Sequence, residues 1–216
     1  MTSVKRELTE QRYEIFKKLG ASIAKAASAS ISGPDGQRFE ISEINSSLLR
    51  IERLVEATGD PNNAAVAVLS RVEGRAPGYA AFLFPYWKAS ALVAELETFP
   101  HIHPNSSQAL RELGTKMISA SVDKLSSETG INFRPLTPVM AIDMAWAIVS
   151  SVVDLADKSA EQALMVATRF GSDDTTIDGL FLYIFDSGSL ETVEYAMMCK
   201  IAPGGNPLCL TSPNHL

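Results

Sequence analysis

The order of periodic segments between residues 7 and 99 recurs between residues 105 and 199, and this internal duplication constrains the fold more than any other feature. In the first half, a helical pattern runs from Glu7 through Leu8, Ile15, Leu19, Ile23 and Ala27 and stops before the turn residues of SGPDG (32–36). The alternating QRFEIS (37–42) reads as a strand, and SSLLRIERLVEATG (46–59) as a helix with a serine cap and a closing glycine. AVAVLSRV (65–72) and GYAAFLF (78–84) read as strands joined through EGRAPG, and WKASALVAELE (87–97) as a third helix. The second half repeats this order. A long helix (105–130) is followed by the strand INFRPL (131–136). A helix over 137–159 follows, with Thr137 at the cap and Pro138 at the first helical position, where a missing N–H costs nothing. The strands ALMVATRF (163–170) and GLFLYIF (179–185) lead to a last helix over 188–198.

Matching elements lie about 94 to 101 residues apart. Three strands per half are too few for an independent sheet, so the expected fold is a layered α/β (α+β) single domain over 1–216. It is an αβαββα unit used twice, over 7–99 and 105–199, with six strands in one shared sheet flanked by helices. The tail from 200 to 216, rich in Pro, Gly and Asn, is expected to be loosely ordered. The halves also agree in detail, since LGASIAKAAS (19–28) matches LGTKMISAS (113–121) class by class. A glycine inside a helix costs about 1 kcal/mol relative to alanine, so Gly20 and Gly114 both call for a close approach within the repeat.

Charge and composition exclude several functions. A formal net charge of −6 leaves no surplus of Lys and Arg for phosphate backbones or anionic membrane surfaces, so neither nucleic acid nor membrane is the expected partner. The first residues, MTSVKRELTEQR, are charged, and the longest apolar run (79–84) is far short of the roughly 18 residues that span a bilayer, which reads as a cytoplasmic protein. Cys199 and Cys209 show no CxxC spacing and read as two reduced thiols.

Most of the remaining polar clusters have plain structural readings. His101 and His103 have a ligand-like spacing, but they sit between Pro100 and Pro104 with no acid or thiol to complete a metal site, so a linker is the simpler account. SDDTTID (172–178) lacks the glycine and final glutamate of an EF-hand loop and reads as a solvated turn. Met140, Met144, Ala147, Ile148, Ser151 and Leu155, with Trp146 and Val149 beside them, form an apolar stripe explained by core packing. There is no GxSxG, P-loop or GxGxxG.

The long second-half helix is the exception. Glu112 and Thr115, three apart, share a face, and 22 residues (116–137) separate Thr115 from Pro138. Here the sequence resembles the CheC, CheX and FliY family of chemotaxis phosphatases. That family's motif is Asp or Ser, three residues, Glu, two residues, Asn, then 22 residues and Pro. TPVMAIDMAWAIVSS looks like the family's helix after the proline, and ALMVATRF with IDGLFLYIFDSGSLETV looks like its closing strands and helix. The resemblance is clearest over 106–197 and implies a CheC-like, two-repeat fold.

The resemblance also implies a mechanism. The family's helix enters the active site of a phosphorylated CheY-type response regulator, where Glu pairs with a lysine and Asn orients water for in-line attack on the aspartyl phosphate. No cofactor is bound by the helix itself, and Mg²⁺ sits on the regulator. Catalysis of this kind is positioning. By this resemblance the site residues are Glu112 and Thr115, with Gln108, Gly114 and Pro138 as supporting motif positions.

Two departures stand out: Gln108 replaces Asp or Ser, and Thr115 replaces Asn. By the same resemblance the first half, with Lys18, Ala21 and Ile44 at the Glu, Asn and Pro positions, looks catalytically empty. Threonine keeps a hydroxyl but is shorter than asparagine and stiff at χ1, so weak dephosphorylation is the most it should support. The alternative is a non-catalytic module that docks a response regulator, a CheD-type deamidase or a flagellar-switch component. Without the resemblance, Glu112 would read as a solvated side chain paired with Arg111 or Lys116.

Overall fold

The protein is described here by a computed structural model over residues 2–31, 40–58, 60, 62–89, 106–156, 160–171 and 176–201. In chain order the elements are α1 (Thr2–Ile31), β1 (Glu40–Arg50), a 3₁₀ turn (Ile51–Arg53) running into α2 (Leu54–Ala57), β2 (Ala64–Gly74) and β3 (Gly78–Pro85). They continue with α3 (Ser106–Thr129), β4 (Phe133–Pro135), β5 (Val139–Met144), α4 (Ala145–Leu155), β6 (Gln162–Gly171), β7 (Thr176–Phe185) and α5 (Ser189–Ile201).

Seven strands, all paired antiparallel, form one sheet in the order β1-β6-β7-β3-β2-β4, with β5 also pairing β2. β4 lies against Val72–Gly74 and β5 against Ala64–Leu69, so together they line the outer edge of β2. Exchanging first-half for second-half strands (β1 for β4–β5, β2 for β6, β3 for β7) returns the same order reversed. Each outer strand is therefore paired with the opposite half: β1 with β6, and β5 with β2.

Alternate residues of the central strands enter two cores, as a sheet covered on both faces requires. Val66, Val68, Phe82, Phe84, Val166, Phe181 and Tyr183 pack under α1, α3 and α5. Ala67, Leu69, Ala81, Leu83, Ala163, Leu182 and Ile184 pack under α2 and α4. Burial pushes the Tyr183 phenol above its ordinary range, and the hydroxyl donates to the Ala76 carbonyl at 3.2 Å.

Two expectations are corrected. The helix expected over 137–159 is divided, because 139–144 is a strand in six-pair register with β2 and the helix starts only at Ala145. Without β5, the backbone of Ala64–Leu69 would have no partner on that side, and satisfying it outweighs the helical periodicity of the segment. Thr137 and Pro138 thus precede a strand rather than cap a helix, Met140 and Met144 leave the helical stripe, and the sheet has seven strands instead of six. Likewise, 46–50 belongs to β1, and only 51–57 is helical. Ser46, read as a cap, lies buried in the strand and donates to the Phe16 carbonyl of α1 at 3.0 Å.

The reading of two reduced thiols is also corrected at Cys199, which is disulfide-bonded. A missing CxxC spacing argues against a redox motif, but it does not bear on a single bridge. Cys209, His101, His103, the turn at 32–36, most of the third helix (90–97), residues 172–175 and the tail from 202 lie outside the described residues. No helix among the described residues is long and apolar enough to cross a membrane.

α1 and α3 pack side by side, and Ser22 of α1 donates to Glu128 of α3 at 2.8 Å. Lys124 and then Ser22 hold the Glu128 carboxyl below its ordinary value of about 4.5. A lowered folded-state pKa means the contribution is present above the unfolded value and lost as pH falls through the folded one. Wild type should therefore melt about 1–2 °C above Glu128→Gln at pH 7, with the gap closing near pH 3, in thermal unfolding followed by circular dichroism.

Candidate functional site

α3 is held at both ends of its packed face. Gly114 rests on β2: a Cβ there would stand 2.4 Å from Cγ2 and 2.5 Å from Cβ of Val68. Gly20 makes the equivalent approach in the first half, with a Cβ position 1.9 Å from Ser46 Oγ and 3.0 Å from Val166 Cγ2. Both interior glycines are thus spent on bringing a helix against the sheet, which sharpens the close approach expected from the sequence. At the far end Gly130, with φ +75°, closes the helix, its N–H donating to the Ser126 carbonyl at 2.7 Å. Ser126 Oγ in turn accepts from the Phe133 N–H of β4 at 3.2 Å.

With Leu110, Leu113, Gly114, Met117 and Ile118 buried, the polar residues of the first turns are left outward. Gln108 Nε2 donates to Glu112 Oε1 at 3.1 Å. Thr115 Oγ1 donates to the Arg111 carbonyl one turn back, at 2.7 Å. The ion pairs to Arg111 or Lys116 considered for Glu112 are not formed, and Gln108 takes their place. Pro138 stands just before β5, two residues from Met140, whose partner across the strands is Val68 beneath Gly114. The helix turn bearing Glu112 and Thr115 and the strand entry bearing Pro138 are therefore neighbours on one edge of the sheet.

The chemistry of this surface follows from its donors and acceptors. Glu112 offers a carboxylate already oriented by an amide and suited to a cationic partner. Thr115 has a single proton, committed to the backbone, so its oxygen can only accept. Among the described residues no cluster of three or more His, Cys, Asp or Glu could hold a metal ion. A cavity of about 590 Å³ opens on the opposite face, beside Trp87. Four of its charged residues form one network: Asp178 pairs with Lys88 and, at 2.7 Å, with Arg169, which reaches Glu43 at 3.1 Å, while Asp60 on the same lining accepts from the Asn62 N–H at 3.0 Å. Sequence reasoning missed Ile142 and Met144, exposed on the α3 side of β5, because it placed them in a helix. The β-branched Val139 and Ile142 directly after a proline were the available hint.

No protein-family model matches the chain. Among curated proteins it is 23% identical over 168 residues to the CheY-P phosphatase CheC of Bacillus subtilis (strain 168), covering 74% of this chain and 80% of that protein. Among solved structures it is similar to Thermotoga maritima FliY, with 10% identity, a TM-score of 0.63, and coverage of 87% of this chain and 96% of that one. It is also similar to the FliM middle domain from H. pylori, with 12% identity, a TM-score of 0.51, and coverage of 86% and 95%. The chain is thus similar in sequence to CheC across most of both chains, on a fold shared with FliY and the FliM middle domain.

Proposed function

We propose that the protein engages a phosphorylated CheY-type response regulator through the outer flank of α3, in chemotaxis signalling in the cytoplasm, with hydrolysis of the aspartyl phosphate weak or lost. The observation that carries this reading is Glu112. It is oriented by Gln108 on the exposed side of a helix whose inner side is pinned through Gly114, in a chain related to a CheY-P phosphatase. Its carboxylate pairs with the regulator's active-site lysine, and a rigid helix holds that pairing in one geometry. Mg²⁺ belongs to the regulator, and this chain brings no cofactor of its own.

The second reading is a binding module without catalysis, docking a response regulator, a CheD-type deamidase or a flagellar-switch component. It is favoured by the Thr115 hydroxyl, which is turned back onto the Arg111 carbonyl and removed from the outward reach that an asparagine amide would have. The two readings share the docking step where the module's partner is a response regulator, and that step is tested first. In Mg²⁺, wild type is expected to bind a phosphorylated CheY-type receiver domain more tightly than the unphosphorylated form, and Glu112→Ala to weaken that binding about tenfold, by calorimetry. Equal affinity for both phosphorylation states, or no binding, would remove the reading.

A further inference from the structure

Ile142 and Met144, on β5, are 51% and 41% exposed. Their partners across the strands are Val66 and Ala64, and Met140 lies opposite Val68. Paired residues share a face, and Val66 and Val68 belong to the core under α3, so Met140, Ile142 and Met144 stand on the α3 side of the sheet.

The direction of α3 places its site residues beside this strip. Gly114 lies on Val68, while Ser126 binds Phe133, whose strand partner is Gly74. α3 thus runs parallel to β2, and its first turns lie level with Ala64–Val68. At about 3.6 residues per turn, Thr115 is three turns before Ser126 and Gln108 two turns before Thr115, so all three share one flank. Ser126 bonds to β4, and that flank therefore faces the β4–β5 edge. Gln108, Thr115 and the adjacent Arg111 and Glu112 border the apolar strip.

We propose that β5 is the second half of the docking surface, with Ile142 and Met144 receiving the apolar border of a response regulator's phosphorylation pocket while the α3 flank enters the pocket. The inference rests on the reading of α3 given above. Edge strands usually carry charges that discourage association, whereas this one has Asp143 alone among apolar residues. The charges beside it suit an anionic phosphoaspartyl pocket: Arg111 and Lys116 flank Glu112 on a chain whose net charge is −6. An apolar strip next to that pairing excludes water from it, which strengthens the Glu112 contact.

The test uses a CheY-type receiver domain activated with beryllium fluoride and Mg²⁺. Ile142→Thr, which keeps strand propensity, and Met144→Lys are each expected to weaken binding about tenfold. Leu155→Lys, at an equally exposed apolar position on α4 across the sheet, is expected to leave binding unchanged. Backbone amides of 139–144 should gain hydrogen-exchange protection when the receiver is added. If Ile142→Thr melts early, Met144→Lys and the exchange data decide. Wild-type affinity in both strip variants, with weakening in Glu112→Ala, overturns the role of β5 and leaves the α3 reading standing. Failure of wild type to bind overturns both. A concentration-dependent dimer that Met144→Lys abolishes, with no protection of β5 by the receiver, assigns the strip to a second copy of the chain and overturns the inference.

Discussion

Gly114→Ala is expected to lower the melting temperature by about 5–10 °C, although the same change at an open helical position raises stability by about 1 kcal/mol. The new Cβ would stand 2.4 Å from Val68 Cγ2 and 2.5 Å from Val68 Cβ. Valine cannot turn out of the way, since its χ1 is stiff and its Cβ moves only with the backbone of β2, which is paired on both sides. α3 must therefore rise off the sheet, loosening Leu110, Leu113, Met117 and Ile118 together. Overpacking of this kind costs about 1–3 kcal/mol, and the upper part of that range applies because no flexible side chain can absorb the clash. Circular-dichroism melts of wild type and Gly114→Ala decide the sign, and a rise would mean that the helix does not touch the sheet at this point. The displacement should also cost regulator binding, because Glu112 and Thr115 ride on the same turns.

Thr115→Asn is expected to raise the rate of receiver dephosphorylation about 10²-fold. The threonine hydroxyl gives its single proton to the Arg111 carbonyl at 2.7 Å and ends two bonds from the helix backbone. An asparagine amide reaches further and presents both a donor and an acceptor to an attacking water. A shortfall in reach of roughly 1 Å costs on the order of 10² in a positioning mechanism. The measurement is the decay of phosphorylated receiver domain in Mg²⁺, alone, with wild type and with Thr115→Asn. Acceleration by the variant alone would establish the protein as a binding module built on a phosphatase scaffold. Equal acceleration by both would show that a hydroxyl suffices. If neither accelerates decay and neither binds, the assignment of α3 as the working face fails.

The elements with one dominant local pattern were legible in the sequence. α1, α3, β2, β3, β6 and β7 follow their periodicity, because each buries a single stripe or alternates between two cores. The failures, at 46–50 and 139–144, fall on the two outer strands. These segments pack apolar residues at spacings that fit a helix, and only a distant edge, Gln162–Gly171 for β1 and Ala64–Leu69 for β5, makes them strands. The duplication held a clue that local pattern did not. Arg50 and Met144, the last residues of β1 and β5, are separated by 94 positions, the same interval as Gly20 and Gly114. The site was partly legible for a similar reason: Glu112 and Thr115 stand out from helical spacing alone. The strip beside them depends on β5, and so on a pairing across the chain.

That pairing has a consequence for biosynthesis. Among the described residues β1 pairs with β6 alone, and Arg50 leaves the ribosome roughly 110 residues ahead of Gln162, the residue it will face. At about 5–20 residues per second, β1 waits on the order of ten seconds for that partner. The chain cannot complete its first half before making its second, and until β6 emerges the backbone of Glu40–Arg50 is an open strand edge that something else must cover.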